Sequence, residues 1–277
     1  MTLPPRLLAL LLLPAIICLA VFFVLPLSVL VAETGAEGGV AYLRLVDDPV
    51  FWQGLRGTLI LGTAAPALSV AVGFCVAMHL ARQPEGRRQA LLFVLSLPLT
   101  FSGLIVAYGF ILVFGRAGFF TLLLAELGAD PAVVGAMIFT PTGLGFAYCY
   151  YLIPRVVLVV LPVLVNFDSR QIDAAESLGA SRFAAFRDVL LPQVAPALVA
   201  AFCLTAAVAI GAYGTALALV GTQVNILPLL LFSKISETGA DLPAAAAASV
   251  VLMAVCCAVV GLAEALMGLR RRSDGVR

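Results

Sequence analysis

Few residues in this chain could do covalent or metal chemistry, and their spacing excludes the common kinds of site. The chain has one histidine, His79, and six cysteines, which all lie within apolar runs and form no C-x-x-C pair. A structural zinc site needs about four such ligands, so we expect no metal site and interpret the cysteines as small packing residues. No G-x-x-x-x-G-K-[ST] phosphate loop occurs, so we do not expect the chain to hydrolyse ATP itself.

Polar side chains inside long apolar segments form a second group of candidates. Such groups are costly in a membrane interior and often line the path of a transported solute. For each tyrosine, the alternative is a packing role in which the hydroxyl bonds to a neighbour. The candidates are Tyr108, Thr140, Thr142, Tyr148, Tyr150, Tyr151, Arg155, Tyr213 and Thr215.

Arg155 is the most informative of these candidates, and its role depends on where its helix begins. If the helix starts near Val134, Arg155 lies close to the cytosolic boundary, where its head group can reach water. The sequence favours this interpretation. If the helix starts later, Arg155 enters the helix bundle and could meet an anion. Pro154 beside it can kink the helix.

The elements that position these residues are long hydrophobic helices. Of the 277 residues, 63% are hydrophobic and 11% are charged, whereas a soluble domain carries about 25% charged residues. A membrane-spanning helix needs about 20 apolar residues, and six stretches qualify. The sequence therefore predicts an all-α, polytopic membrane protein. The predicted spans are roughly residues 7–32, 58–81, 90–114, 132–165, 194–220 and 244–268.

The placement of arginine predicts the orientation of the chain, because cytoplasmic loops carry an excess of Lys and Arg. With the N-terminus inside, the inner segments hold eleven of these residues and the outer segments hold four. We therefore expect both termini in the cytoplasm. The net charge is +1 and no basic stripe is present, so we expect no nucleic-acid partner.

One polar insert, residues 168–192, interrupts the apolar segments on the predicted cytoplasmic side. It reads DSRQIDAAESLGASRFAAFRDVLLP. Asp168 or Ser169 can cap a short first helix, and Ser181 can cap a second one. Between them, Gly179 can adopt a positive φ and turn the chain. The proline that closes the insert is expected to open the next helix.

The insert resembles the cytoplasmic signature loop of ABC-importer permease subunits, which work with a substrate-binding protein. That signature runs Glu-Ala-Ala, three residues, Gly, nine residues, Ile, one residue, Leu-Pro. This chain keeps every spacing, with Asp in place of the Glu and Val in place of the Ile. The resemblance implies that the insert couples the chain to an ATPase. The implied coupling residues are Asp173, Ala174, Ala175, Glu176, Gly179, Ser181, Leu191 and Pro192.

The resemblance also implies an assembly around the chain. The insert would be a coupling helix between the fourth and fifth spans, moved as a rigid body when a separate ATPase binds ATP. The implied partners are two ATP-binding subunits, a second permease subunit (by family habit a different one) and a periplasmic binding protein. ATP and magnesium would be bound by the ATPase, with no cofactor in this chain. Residues 1–277 would form one permease domain, with a core at about 55–268, in the lipid of a bacterial inner membrane.

The substrate stays open at the level of sequence. The wider chain, above all residues 209–237, resembles the spermidine/putrescine branch, which implies a polyamine; phosphonate, ferric iron or another small anion is the alternative. No acidic residue lies deep in any predicted span, where a polyamine would want one, although tyrosine faces can bind ammonium groups. An ion-coupled secondary transporter would need intramembrane carboxylates and an internal repeat. A membrane-embedded enzyme would need a catalytic set, and neither pattern is evident.

Overall fold

The computed structural model describes residues 5–35, 39–221, 225–236 and 241–274. The described residues form helices and no strand, which confirms the predicted all-α class. Six of the described helical segments are long and apolar enough to cross a membrane, as the sequence predicts. These segments are Leu12–Gly35, Pro49–Ala81, Gly103–Glu126, Pro141–Val165, Arg182–Ile210 and Leu242–Ala265.

The individual helices follow one another with few residues between them, and several are joined by single π or 3-10 turns. They are α1 (Pro5–Leu19), α2 (Leu25–Gly35), α3 (Val40–Asp47), α4 (Pro49–Ala81), α5 (Glu85–Ser96), α6 (Gly103–Phe114), α7 (Phe119–Glu126), α8 (Pro131–Ala136), α9 (Pro141–Val165), α10 (Arg170–Ser177), α11 (Arg182–Ala185), α12 (Leu191–Ile210), α13 (Tyr213–Val220), α14 (Leu227–Ser236) and α15 (Leu242–Asp274).

The core lies where α4, α9 and α12 cross. Leu144 and Leu152 of α9 are fully buried there. α9 approaches α4 closely because Gly73 has no side chain, and a Cβ at that position would collide with Val156. Small residues at helix crossings allow this close approach in membrane proteins. α9 is therefore the central span, and its neighbours position the residues along it.

The third apolar stretch is not one helix, which corrects the predicted span of 90–114. α5 ends at Ser96, and a 3-10 turn over Leu97–Thr100 follows, containing Pro98. Proline has no N–H to donate within a helix, so the chain breaks there. α6 then begins at Gly103, and the spanning segment runs on through α7.

The fourth span starts later than the sequence analysis favoured. α9 begins at Pro141, and the Thr140 hydroxyl accepts a hydrogen bond from the Gly143 N–H at 3.3 Å. A threonine cap followed by proline is a favourable way to begin a helix. Arg155 consequently lies in the body of α9 rather than at its cytosolic end. The favoured helix start near Val134 is therefore wrong, and the condition for the alternative, a later start, is met.

The fifth apolar stretch, predicted at 194–220, is also divided. α12 ends at Ile210, and α13 begins at Tyr213, so Gly211 and Ala212 form a break inside an apolar run. Upstream, the same span extends back to Arg182 in the polar insert. One helical segment therefore runs from the polar insert to the break that precedes Tyr213 and Thr215.

Candidate functional site

The polar insert folds as two helices joined by a tight turn, as the sequence predicts. At the start of α10, Asp168 Oδ1 accepts a hydrogen bond from the Arg170 N–H at 3.0 Å. At the start of α11, Ser181 Oγ accepts one from the Ala184 N–H at 3.2 Å. These side chains satisfy backbone donors that a helix N-terminus leaves without a partner. The insert is therefore a defined element.

Gly179 closes α10 in a Schellman motif. Its φ is +93°, its N–H donates to the Glu176 carbonyl at 2.9 Å, and the Ala180 N–H donates to the Ala175 carbonyl at 3.0 Å. Glycine adopts this left-handed conformation at little cost. Nothing lies within 4 Å of the place a Cβ would take. The position needs glycine for its backbone conformation, because space for a side chain is available.

The second helix of the insert does not end at Pro192, which corrects the sequence prediction. α11 continues through a π turn over Phe186–Leu190 into α12, so Arg182–Ile210 is one helical segment. Pro192 cannot donate to a carbonyl one turn back, and the wider π turn lies where that hydrogen bond would be missing. The insert and the fifth span are therefore continuous.

One side of the insert packs against the spans. Ile172 and Phe186 join a hydrophobic cluster with the buried residues of α4 and α9 near their ends. The Phe186 ring centroid lies 6.2 Å from that of Phe74 in α4. Gln193 Nε2 donates to Gln171 Oε1 at 2.6 Å and ties α12 to α10. These contacts fix which face of the insert points away from the bundle.

The opposite side of the insert carries two large apolar side chains in the open. Leu178 is 89% exposed and Phe183 is 72% exposed. Neither is among the implied coupling residues, although a leucine directly before a helix-ending glycine is a signal that points to Leu178. Of the implied coupling residues, Ala175 and Leu191 are partly buried. The exposed ones are Asp173, Ala174, Glu176, Gly179, Ser181 and Pro192.

The turn at Gly179 has a counterpart elsewhere in the chain. The sequence Leu-Gly-Ala occurs twice, at Leu178 and at Leu127, and a helix-capping side chain follows each time. Gly128 has a φ of +91°, the same two backbone hydrogen bonds close its turn, and open space surrounds its Cβ position. Leu127 is 81% exposed. The chain thus contains a matched turn that lies outside the insert.

A cavity of about 300 Å³, partly open to the outside of the chain, is bordered by α6, α9 and the break between α12 and α13. Four of the polar candidates line it: Tyr151, Arg155, Tyr213 and Thr215. Gly103, the first residue of α6, also lines it. The structure therefore brings together candidates that are 64 residues apart in sequence, counted from Tyr151 to Thr215.

Tyr148 stabilises the break between α12 and α13, which borders this cavity. Its hydroxyl donates to the Ala212 carbonyl at 2.9 Å, and its side chain is 1% exposed. A buried carbonyl without a partner would be costly. Tyr148 therefore has the packing and bonding role that was the alternative for each tyrosine, and it does not line the cavity.

Arg155 keeps most of its hydrogen-bonding capacity unused. Its Nη1 donates to the Tyr151 carbonyl one turn back, at 2.8 Å, and its guanidinium carbon lies 5.4 Å from the centroid of the Tyr151 ring. Within the described ranges, no carboxylate forms an ion pair with it. An arginine has five N–H donors, so several remain available to another group.

The remaining candidates lie away from this cavity. Tyr108 is 55% exposed on α6. The Thr142 hydroxyl lies 2.8 Å from that of Thr140 at the start of α9. The Tyr150 ring meets the Phe110 ring edge-on, with 5.5 Å between their centroids. Thr140 and Thr142 thus act at the helix start, and Tyr150 makes an aromatic contact.

Comparison with known proteins places the chain among transport components. The family described as "Binding-protein-dependent transport system inner membrane component" matches residues 69–273. The chain is 30% identical to "Sulfate permease 2, chloroplastic" of Chlamydomonas reinhardtii, over 79% of this chain and 58% of that protein. It is 28% identical to "Sulfate transport system permease protein CysT" of Salmonella typhimurium, over 86% of this chain and 83% of that protein.

A third relative is named for a different solute. The chain is 30% identical to "Spermidine/putrescine transport system permease protein PotB" of Salmonella typhimurium, over 62% of this chain and 59% of that protein. The chain thus spans less than two thirds of the chloroplast relative and of PotB. Among solved structures, a chain of a bacterial alginate ABC transporter, in complex with an alginate pentasaccharide-bound periplasmic protein, matches with a TM-score of 0.77. It is 19% identical and the match covers 93% of this chain and 92% of that one, which shows a shared fold.

Proposed function

Because the chain belongs to the family of binding-protein-dependent transport system inner membrane components, and so is a multi-pass permease subunit of an ABC importer, we propose how it works within that importer. It passes a small solute that a periplasmic binding protein delivers. Two ATP-binding subunits drive it and bind the ATP and magnesium. A second permease subunit, different from this chain, completes the path. The insert at residues 168–192 is the element that the ATP-binding subunits engage.

The observation that carries this proposal is that the insert is packed against the spans on one side and exposed on the other. Its inner side is fixed to the spans through Ile172 and Phe186. Its outer side exposes Leu178 and Phe183, which are large and apolar, on a segment that is otherwise polar. Exposed apolar side chains rimmed by polar residues mark protein-contact surfaces. Asp173 forms no ion pair within the described residues, so its carboxylate is available to a basic side chain of the ATPase.

The orientation that follows places the insert and both termini in the cytoplasm. The excess of arginine on that side supports it. On the opposite side, two ion pairs join the outer segments: Arg44 Nη1 lies 3.2 Å from Asp241 Oδ2, and Lys234 Nζ lies 3.5 Å from Asp48 Oδ2. These pairs connect α3 to the start of α15, and α14 to the start of α4. We infer that this tied outer surface receives the binding protein.

The translocation path runs past the cavity at the α12–α13 break. Its lining by Tyr151, Arg155 and Thr215 supports this, because polar groups inside a membrane bundle are retained where a solute passes. The relatives named for sulfate and for spermidine/putrescine leave the charge of that solute open. An ion-coupled secondary transporter is less well supported, because the described spans carry no carboxylate in their central turns.

Co-purification with the ATP-binding subunit tests the role of the insert. Leu178→Ala and Phe183→Ala should each weaken binding of that subunit about 5- to 30-fold, because burying a large apolar side chain contributes about 1–2 kcal/mol. Leu127→Ala is the matched control, since Leu127 is similarly exposed in the counterpart turn. Binding that is lost equally in the control, or retained in both insert variants, would contradict the proposal.

A further inference from the structure

Arg155 lies inside α9, one of the membrane-spanning helices. It lies ten residues before Val165, the last residue of α9, which places it about 15 Å from that end of the helix. A charge at this depth is costly unless another group compensates it. Among the described residues, its hydrogen bond and its cation–π contact are both with Tyr151, a neutral residue of the same helix. The guanidinium is therefore positioned to receive an anion that the chain does not itself supply.

The cavity offers further donors at the start of α13. No side chain caps this eight-residue helix. Within the described residues, neither a backbone carbonyl nor a side chain accepts the Gly214 and Thr215 N–H groups, and both residues line the cavity. The positive end of a helix dipole and free N–H groups favour an anion.

Tyr151 supplies an independent indication of a missing acceptor. The residue is 7% exposed, and its hydroxyl is buried without a hydrogen-bond partner among the described residues. The Thr215 side chain is the nearest hydrogen-bonding neighbour of this hydroxyl, and the Arg155 guanidinium is its nearest charge, but the Tyr151–Thr215 pair does not reach hydrogen-bond geometry. A buried hydroxyl is almost always hydrogen-bonded, so this group lacks an acceptor in the isolated chain.

We propose that the cavity is a binding site for a small oxyanion, with Arg155 as the charged partner, the Tyr151 hydroxyl and the free N–H groups of α13 as neutral donors, and the oxyanion as the transported solute. This inference rests on the proposed function, which makes the cavity part of the path. The site has donors of three kinds, and no carboxylate lines it. A ligand rich in acceptors and small enough for about 300 Å³ fits this chemistry.

A polyamine does not fit the same site. Its ammonium groups would be repelled by Arg155, and they would meet donors rather than acceptors. Tyrosine faces can bind ammonium groups, but the face of Tyr151 is already covered by the Arg155 guanidinium at 5.4 Å. The geometry therefore favours the anionic alternative over the polyamine.

The test uses the complete transporter in proteoliposomes: this chain with its ATP-binding subunits, second permease subunit and binding protein. Radiolabelled sulfate, phosphate, oxalate and putrescine are the probes. We expect ATP-dependent uptake of at least one of the three anions. Arg155→Gln should lower that uptake about 10- to 100-fold at low substrate concentration, which is the loss expected for a charge-assisted contact. Arg155→Lys should restore part of it.

Two more variants separate the site from general damage. Tyr151→Phe keeps the charge and removes one donor, so it should lower uptake by a smaller factor, about 3- to 10-fold. Arg87→Gln removes an exposed arginine of α5 and should stay within about twofold of the parent. Co-purification of the ATP-binding subunit shows whether each variant folds and assembles.

Three outcomes would overturn the oxyanion site: an assembled, ATP-hydrolysing complex that carries none of the anions; one that carries putrescine alone; or one whose anion uptake is unchanged in Arg155→Gln. A chain that assembles with no ATP-binding subunit would instead contradict the proposed function. The two failures are therefore distinguishable.

Discussion

Replacing Gly179 with alanine should weaken the ATPase contact through the backbone alone. The residue has a φ of +93°, and nothing lies near its Cβ position, so no steric clash contributes. An L-residue in a left-handed conformation costs about 1–2 kcal/mol. Alanine also lowers the conformational entropy of the unfolded chain, which offsets about 0.4–1 kcal/mol of this cost. The net penalty on the turn is therefore about 1 kcal/mol.

This penalty has a predictable effect on affinity. If the ATP-binding subunit requires the turn in its present form, the free energy of binding becomes less favourable by about 1 kcal/mol. The affinity then falls about fivefold. Gly179→Asn should lose less, because asparagine tolerates positive φ better than alanine does. Gly179→Pro should lose far more, because proline cannot adopt this φ and removes the N–H that donates to Glu176.

The counterpart turn provides the control within the same chain. Gly128→Ala introduces the same strain, since φ is +91° and the Cβ position is equally open. Both alanine variants should lower the apparent melting temperature of the detergent-solubilised chain by similar amounts. Titration of the ATP-binding subunit onto the chain in nanodiscs should show weaker binding only for Gly179→Ala. Equal affinities of the two variants would refute the assignment of the insert as the coupling element.

Two further substitutions test the contacts that hold the bundle together, with the apparent melting temperature as the measurement. Tyr148→Phe leaves the carbonyl at the α12–α13 break without its donor and should cost about 1–3 kcal/mol, whereas Tyr108→Phe, whose parent side chain is exposed, should cost little. Thr58→Val removes the acceptor of the buried Leu227 N–H at 2.8 Å and should cost about 1–3 kcal/mol. Thr63→Val, whose parent hydroxyl bonds within its own helix, should be nearly neutral, and equal losses in either pair would contradict these roles.

The features that could be predicted from sequence are those decided locally. The turn at Gly179 and the cap at Ser181 depend on residues within a few positions, and the structure has both. The start of α9 also carries a local signal, because Thr140 followed by proline is a favourable helix start. The apolar run that precedes Thr140 masks this signal, so the predicted start near Val134 was too early.

Other features depend on contacts between distant segments and could not be predicted in this way. The break at Gly211 and Ala212 has no proline beside it, and the hydroxyl of Tyr148 from another span satisfies the carbonyl that the break leaves free. The exposure of Leu178 depends on which side of the insert the spans occupy. Tertiary packing decides both, and single-sequence patterns do not record it.

The unbroken segment from Arg182 to Ile210 has a mechanical consequence. Its 29 residues make a rod about 43 Å long, with the Gly179 turn of the insert next to one end and the break beside the Arg155 cavity at the other. A tilt of roughly 5° about the inner end would shift the far end by about 4 Å. That displacement exceeds the length of a hydrogen bond. A small rocking of the cytoplasmic end is therefore amplified into a movement large enough to bring the donors of α13 toward a solute or withdraw them from it.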